Sequence, residues 1–361
     1  MSLYPRAVID LNAVQHNLAC VRRLAPHSKV MSVIKADAYG HGVKAIAQAL
    51  ADSDAFAVAR LSEGIALRDL GFQQAIVLLE GVHSLAEMQL AEQFQLQPVI
   101  HQSAHIDWLQ GCPSLPFCWL MLETGMHRLG LPEAVIREAV EQLQKQSAYV
   151  GKLGLMSHFA NSDLPGDVRN QSQLSVMTKL AAETGLPVCM ANSAAVVSLS
   201  ESHADWVRPG LMLYGISPFA DKSGHDLDLK PAMQLISTLI ATQMLKAGDE
   251  IGYGGEWTAT QACRMGVISI GYGDGFSRHL SNTGQVLIRG KMLPVIGRVS
   301  MDTICVLLDN CPDAQTGDEV LLWGNAQLTV ESQALRADTI PYELTTVLAG
   351  RVDREYQHGK N

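Results

Sequence analysis

Along the first 215 residues, short unbroken apolar runs alternate with longer amphipathic ones. Eight of the apolar runs read as strands: KVMSVIK (29–35), AFAVA (55–59), AIVLLE (75–80), QPVIH (97–101), FCWLMLE (117–123), KLGLMSH (152–158), PVCMAN (187–192) and the pair ADWV/LMLYG (205–215). Helical periodicity fills the gaps, in VKAIAQAL, SEGIALRDLG, SLAEMQLAEQF, SAHIDWLQ, PEAVIREAVEQLQKQ, VRNQSQLSVMTKLAAETG and SAAVVSLSES. Start and stop signals agree with this division: Ser62 before Glu63, Pro132 opening its helix, Gly71 and Gly185 closing theirs. Unbroken apolar strands, each followed by a helix, indicate parallel strands buried on both faces. Eight such units suit a closed (β/α)8 barrel of α/β class. A leading strand and helix, RAVID and LNAVQHNLACVRRLA, precede them. In an open-sheet alternative RAVID would be a ninth strand.

After Gly224 the pattern changes. Residues 232–324 read as strands broken by Gly-rich turns (AGDEIGYGGEW, SIGYGDGF, NTGQ, RGKMLPVIG, TGDEVLLWG), and only Val330 to Leu348 looks helical. The polar stretch DKSGHDLDLK (221–230) separates the two textures. The expected organisation is a barrel over 1–225 and a mainly β domain over 226–361, with residues 1–10 able to pair with the β domain.

Composition narrows the function. A chain of 361 residues is long enough for about two domains. The formal charge of −9 comes without basic runs, which argues against a nucleic-acid partner. PAMQLISTLIATQML (231–245) is too short and too polar to span a bilayer, and nothing before Asp10 has the length of a signal peptide's apolar block. Seven cysteines without a C-x-x-C pair suggest a reducing compartment and neither a disulfide framework nor a zinc site. The expectation is a cytoplasmic protein without a membrane anchor.

In a barrel the chemistry sits at the C-terminal strand ends. Those positions hold Lys35, Arg60, Glu80, His101, Glu123 with Arg128 beyond it, His158, Asn192 with Ser193, and Arg208. Lys35 ends the run VMSVIK; a half-buried lysine loses its charge readily and becomes an amine nucleophile, although from position alone a strand-end lysine more often just reaches solvent. Barrel phosphate sites form after strands seven and eight. Here those loops read ANSAAV and RPGLMLYG, so Ser193 and Gly210 are candidates, or simply a helix cap and a turn. GYGDG (271–275) is no dinucleotide fingerprint, and no P-loop, H-E-x-x-H or G-x-S-x-G occurs. His41, His101, His127 and His158 are too scattered for a metal claim.

Taken in order, VIKADAYGHG (33–42), LETGMHRLG (122–130), SHFANSD (157–163), ANSAA (191–195), VRPGLMLYG (207–215), IGYGGEW (251–257), ISIGYGDG (268–275) and GRVSMDT (297–303) resemble the bacterial alanine racemases of pyridoxal-phosphate fold-type III. The resemblance covers nearly the whole chain. It implies a barrel plus a C-terminal β domain, a homodimer with shared active sites, and interconversion of L- and D-alanine that supplies peptidoglycan synthesis. It further implies that Lys35 carries pyridoxal 5′-phosphate on its amine and that Tyr39, Ser193 and the Gly210–Leu211 backbone bind the phosphate, with Asn192 among the cofactor-binding residues. His158 would lie by the ring, Arg208 would face the ring nitrogen, and Arg128 would hold cofactor and substrate carboxylate. The Met301 backbone and Tyr253 would come from the other subunit, Lys35 and Tyr253 being the two catalytic bases. Met121 stands where many members carry a carbamylated lysine that orients the arginine, which leaves Glu123 or an anion to hold Arg128. Gly350 stands where some have a tyrosine, which opens the substrate range toward serine. A serine or broader amino-acid racemase, a non-enzymatic pyridoxal-phosphate carrier and a decarboxylase are the alternatives; the carrier generally lacks the β domain and Tyr253, and Arg208 argues against the decarboxylase.

Overall fold

The computed structural model describes residues 4–357 in two compact units. One comprises residues 15–38 and 43–213, the other the N-terminal residues to Val14, 39–42, and 214 onward.

The first strand, β1 (Arg6–Asp10), belongs to the second unit. Eight strands of the first unit follow it: β2 (Lys29–Val33), β3 (Ala55–Val58), β4 (Ala75–Leu78), β5 (Gln97–Ile100), β6 (Cys118–Met121), β7 (Leu153–Met156), β8 (Val188–Cys189) and β9 (Trp206–Val207). They pair in parallel in sequence order, and β9 returns to β2 through Lys29↔Trp206 and Val30↔Val207, closing the barrel. The apolar runs are unbroken because both faces are covered: every residue of β3, β6 and β7 is buried. Each fully buried Val, Leu, Ile or Phe contributes roughly 1.5–3 kcal/mol. Gly154 in β7 leaves room for Trp119, since a Cβ there would stand 2.8 Å from the indole. That indole also donates to Gln97 Oε1 at 3.1 Å.

The helices fall where the periodicity puts them: Val43–Ala49, Leu61–Asp69, Leu85–Gln93, Ser103–Leu109, Glu133–Gln144, Val168–Thr184 and Ser193–Ser198. Gly185 closes its helix in the left-handed region at φ 66°. Two details correct the sequence reading, and a third lies where it made no assignment. Ser62 is not a helix cap: the helix begins at Leu61, with Arg60 at the cap position and the Glu63 carboxylate accepting its amide. The LMLYG segment is no strand, because Leu211–Tyr214 forms a 3-10 turn after β9. Finally, residues 36–39 after Lys35 all lie in the left-handed region, with φ of 53–54°.

The second unit carries an eight-stranded sheet built from β1, β10 (Met233–Leu245), β13 (Cys263–Ile268), β14 (Gln285–Ile288), β15 (Lys291–Ile296), β16 (Ile304–Leu307), β17 (Glu319–Trp323) and β18 (Asp353–Gln357), beside the small pair β11 (Glu250–Ile251) and β12 (Trp257–Thr258). The order is β13-β16-β15-β14-β17-β10-β1-β18, and β13 also pairs β10, so six of the strands close on themselves. Two register shifts let the 13-residue β10 bend far enough to serve both ends. β1 thus pairs antiparallel with β10 and parallel with β18. The helical C-terminal stretch is two short helices, Val330–Arg336 and Pro341–Thr346. Among the described residues no helix is long and apolar enough to cross a membrane, and PAMQLISTLIATQML is mostly β10.

Candidate active site

The C-terminal strand ends of the barrel are joined by side-chain hydrogen bonds. Glu63 ties the residue after Lys35 to the end of β3, accepting from Ala36 N at 2.7 Å, Ala59 N at 2.8 Å and Arg60 N at 2.9 Å. His101 Nε2 pairs with the Glu80 carbonyl at 2.9 Å. Ser157 Oγ donates to the Leu122 carbonyl at 2.9 Å. Gln173, buried in helix Val168–Thr184, donates to Thr124 Oγ1 at 2.9 Å and the His158 carbonyl at 3.0 Å. Such bonds fix the end of each strand, and so the side chains that stand on it.

Lys35, Arg128, His158 and Arg208 form one electrostatic cluster there. Burial, then Arg208 and Arg128, push the Lys35 amine below its ordinary basicity, while Glu80 and Glu63 oppose that shift. Neutral amine is the form that attacks a carbonyl or accepts a proton. His158 is held well below the usual imidazole range by burial first, then by Arg208, Arg128 and Lys35.

Arg208 is 5% exposed and anchored from three sides. Its backbone amide donates to the Ala191 carbonyl at 2.7 Å, Nη2 donates to the Ser157 carbonyl at 2.7 Å, and Nη1 lies 3.1 Å from His158 Nδ1. A guanidinium has only donors, so His158 Nδ1 must accept, and the imidazole is neutral with its proton on Nε2. Arg208 Nε is buried without a nitrogen or oxygen acceptor among the described residues, although the Cys189 thiol lies beside the guanidinium. A buried cationic donor left in this state calls for an acceptor from outside the chain. A pyridine nitrogen is one.

Ser193 Oγ accepts the amides of Gly210 at 2.9 Å and Met212 at 3.3 Å, which leaves its hydroxyl hydrogen to donate. The Leu211 amide opens a 3-10 turn, where an N–H has no partner within the turn. Asn192 caps the helix Ser193–Ser198: its Oδ1 accepts from Ala195 N at 3.1 Å and Ser162 Oγ at 2.8 Å. An amine inclined to neutrality, an unsatisfied buried arginine and a free serine hydroxyl together fit pyridoxal phosphate.

Arg128 sits on the loop 123–130, pinned at its base by Glu123 N to the Leu131 carbonyl (3.0 Å) and Leu131 N to the Met121 carbonyl (2.7 Å). Met121 and Arg128 line one small cavity together with Ser157 and His158. The expectation that Glu123 holds Arg128 is not met. Glu123 Oε1 instead accepts the Gly125 amide and lies 3.8 Å from His127 Nδ1, and no ion pair joins it to Arg128 among the described residues, which leaves a bound anion as the other candidate.

In the second unit, Tyr39 is buried with its ring 4.8 Å from that of Tyr214 and 5.8 Å from that of Tyr342. Tyr253 and Met301 are 71% and 53% exposed. Tyr253 stands on the turn Tyr253–Gly255, whose neighbours Gly252 (φ 69°) and Gly254 (φ 79°) adopt a backbone that side-chain-bearing residues resist. Met301 is set by its carbonyl, which accepts Gly273 N at 2.8 Å, and by Tyr272 N to the Ser300 carbonyl at 3.0 Å. Gly350 is in open space.

The sequence reading missed Glu63, Ser157 and Gln173. Glu63 left a signal, a carboxylate three residues after a strand-end cap. Gln173 left none, because a glutamine inside an amphipathic helix does not announce that it faces inward.

The comparisons with known proteins agree with this site. A family described as alanine racemase, N-terminal domain, matches residues 9–218, and alanine racemase, C-terminal domain, matches residues 232–356. An alanine racemase from Nitrosococcus oceani is 46% identical over 97% of this chain and 99% of its own. Biosynthetic alanine racemase from Pseudomonas aeruginosa superposes with a TM-score of 0.94 at 39% identity, covering 99% of this chain and 100% of that one. Alanine racemase from Bartonella henselae, solved with covalently bound pyridoxal phosphate, gives a TM-score of 0.88 at 29% identity, with 99% and 100% covered. With both units matched and the relatives aligned from end to end, this chain belongs to the alanine racemase family.

Proposed function

We propose that the protein interconverts L- and D-alanine with pyridoxal 5′-phosphate held on Lys35, and that a homodimer completes each site. The observation that carries this reading is the Lys35 amine, biased toward neutrality by burial and two arginines, beside the buried Arg208 with its unsatisfied Nε. When bound, the cofactor joins the substrate nitrogen and withdraws electron density from Cα, which makes the Cα–H acidic. The residues then have separable tasks. Lys35 takes a proton from, or returns it to, one face of Cα, and Tyr253 of a second copy serves the other face. Arg208 would offer Nε–H to the ring nitrogen and, being effectively always protonated, would leave that nitrogen without a proton of its own. This moderates the electron withdrawal and favours reversible proton transfer. Ser193 and the Leu211 amide would donate to the phosphate, with Gly210 allowing close backbone approach; Asn192 acts by capping the helix that carries Ser193. His158 supports Arg208 at the ring, and Arg128 receives the substrate carboxylate together with the Met301 amide of the second copy.

The exposure of Tyr253 and Met301, two large side chains on tightly held turns, supports their use across an interface. The described residues hold no membrane-length apolar helix, in keeping with action in the cytoplasm on free amino acid that feeds peptidoglycan. The test is polarimetric. Incubation with the protein and pyridoxal phosphate should abolish the optical activity of L-alanine, and Lys35→Ala should stop the change. Borohydride reduction should place the cofactor on the Lys35 peptide; trapping on another lysine would defeat the reading.

A further inference from the structure

Glu63 does more than cap its own helix. Its Oε2 accepts the amides of Ala59 and Arg60, as a carboxylate in the first helical turn ordinarily does. Its Oε1 reaches a different strand end, 27 residues away, and accepts Ala36 N at 2.7 Å. Ala36 follows Lys35 directly and is itself exposed, so side-chain packing does not hold it in place. It also opens the four-residue left-handed stretch, a conformation that costs roughly 1–2 kcal/mol per residue and persists only where surroundings impose it. Within that stretch, Asp37 Oδ1 accepts Val43 N, four residues beyond its end, at 2.8 Å. The chain leaving Lys35 is therefore fixed by two carboxylates, and Glu63 is the one adjacent to the lysine.

We propose that Glu63 is a positioning residue for Lys35, its carboxylate clamping the Ala36 amide to the end of β3 and so fixing where the lysine amine stands. This rests on the reading of Lys35 as the cofactor-bearing base. A charge-assisted bond to the backbone beside a reactive side chain controls distance and angle at the reacting atoms, where a displacement of about 1 Å can cost on the order of 100-fold in rate. Glu63 touches neither cofactor nor substrate in this role. Its negative charge also works on the Lys35 amine, opposing burial and the two arginines.

The test compares wild type, Glu63→Gln and Glu63→Ala. Apoprotein of each is mixed with pyridoxal 5′-phosphate, reduced at intervals, and the rate of modification read on the Lys35 peptide. Thermal melting by circular dichroism checks the fold. Glu63→Ala should slow trapping at Lys35 by about tenfold or more, and kcat for alanine should fall at least as far while KM moves less than about threefold. Glu63→Gln keeps one acceptor but turns an amide donor toward other donors, so it should fall between. A second measurement does not depend on either variant folding: hydrogen exchange at the Ala36 amide of wild-type protein should be slowed about 100-fold or more despite the exposure of that residue. Unchanged trapping and kcat in folded variants, a loss carried by KM, or an unprotected Ala36 amide would overturn the proposal. If wild type traps the cofactor at a lysine other than Lys35, it is the functional reading that fails.

Discussion

His105 gives the barrel an acid-sensitive core. It is completely buried in helix Ser103–Leu109, its ring 4.6 Å from that of His101 and 5.1 Å from that of Trp108. Burial first, then the fields of His101 and His83, lower its pKa from 6.5 to about 4. The imidazole is therefore neutral when folded and basic when unfolded. As pH falls below 6.5 the unfolded chain takes up a proton that the native state refuses, so stability drops down to about pH 4. A gap of about 2.5 units corresponds to roughly 3 kcal/mol in full, of which roughly 2 kcal/mol is lost between about pH 7.5 and about pH 5. Urea unfolding of wild type and His105→Phe at fixed protein concentration, at those two pH values, measures it. Phenylalanine keeps a ring between His101 and Trp108 and removes the titrating group. The variant should lose about 2 kcal/mol less than wild type between the two conditions. Equal losses in the two proteins would refute the argument.

Arg208→Gln removes a positive charge from the surroundings of Lys35 and His158, so both become more basic. The acid limb of log kcat against pH should then move to higher pH, because Lys35 must be neutral to accept a proton; a fixed limb would contradict the electrostatic reading. Ala36→Gly should leave the protein as stable or stabilise it by up to about 1 kcal/mol, where Ala→Gly in a right-handed helix costs about that much; a clear fall in Tm would argue against the left-handed turn. A Cβ at Gly350 would meet nothing within 4 Å, so Gly350→Tyr should fold normally and lower the serine-to-alanine rate ratio. Wild type should turn over serine at more than about a thousandth of its alanine rate, less than roughly 4 kcal/mol of discrimination.

The barrel was legible because strands covered on both faces leave unbroken apolar runs, and because helix caps such as Gly185 mark their positions. The strand β18, reading DREYQ, was not, since its side chains are mostly exposed and its place beside β1 is set by backbone pairing rather than by an apolar pattern. LMLYG had the composition of a strand, but two-residue strands at β8 and β9 and the turn at Leu211 end the barrel sooner than composition suggests. The left-handed stretch after Lys35 was invisible. Ala and Tyr carry no preference for it, a single Asp is too weak a signal for four consecutive residues, and bonds from distant groups such as Glu63 support it. Lys35, His158 and Arg208 were found as polar residues at barrel strand ends. The partner of each is a matter of three-dimensional placement: His158 pairs with Arg208 across 50 positions.

Complementation decides whether Lys35 of one copy and Tyr253 of another form a single racemising site. Lys35→Ala and Tyr253→Phe chains bearing different tags are co-expressed, and the mixed dimer is purified through both. Each parent dimer should be inactive. The mixed dimer has one site with both residues intact and should racemise L-alanine at about half the wild-type rate. A mixed dimer as inactive as either parent would rule out a site shared between copies.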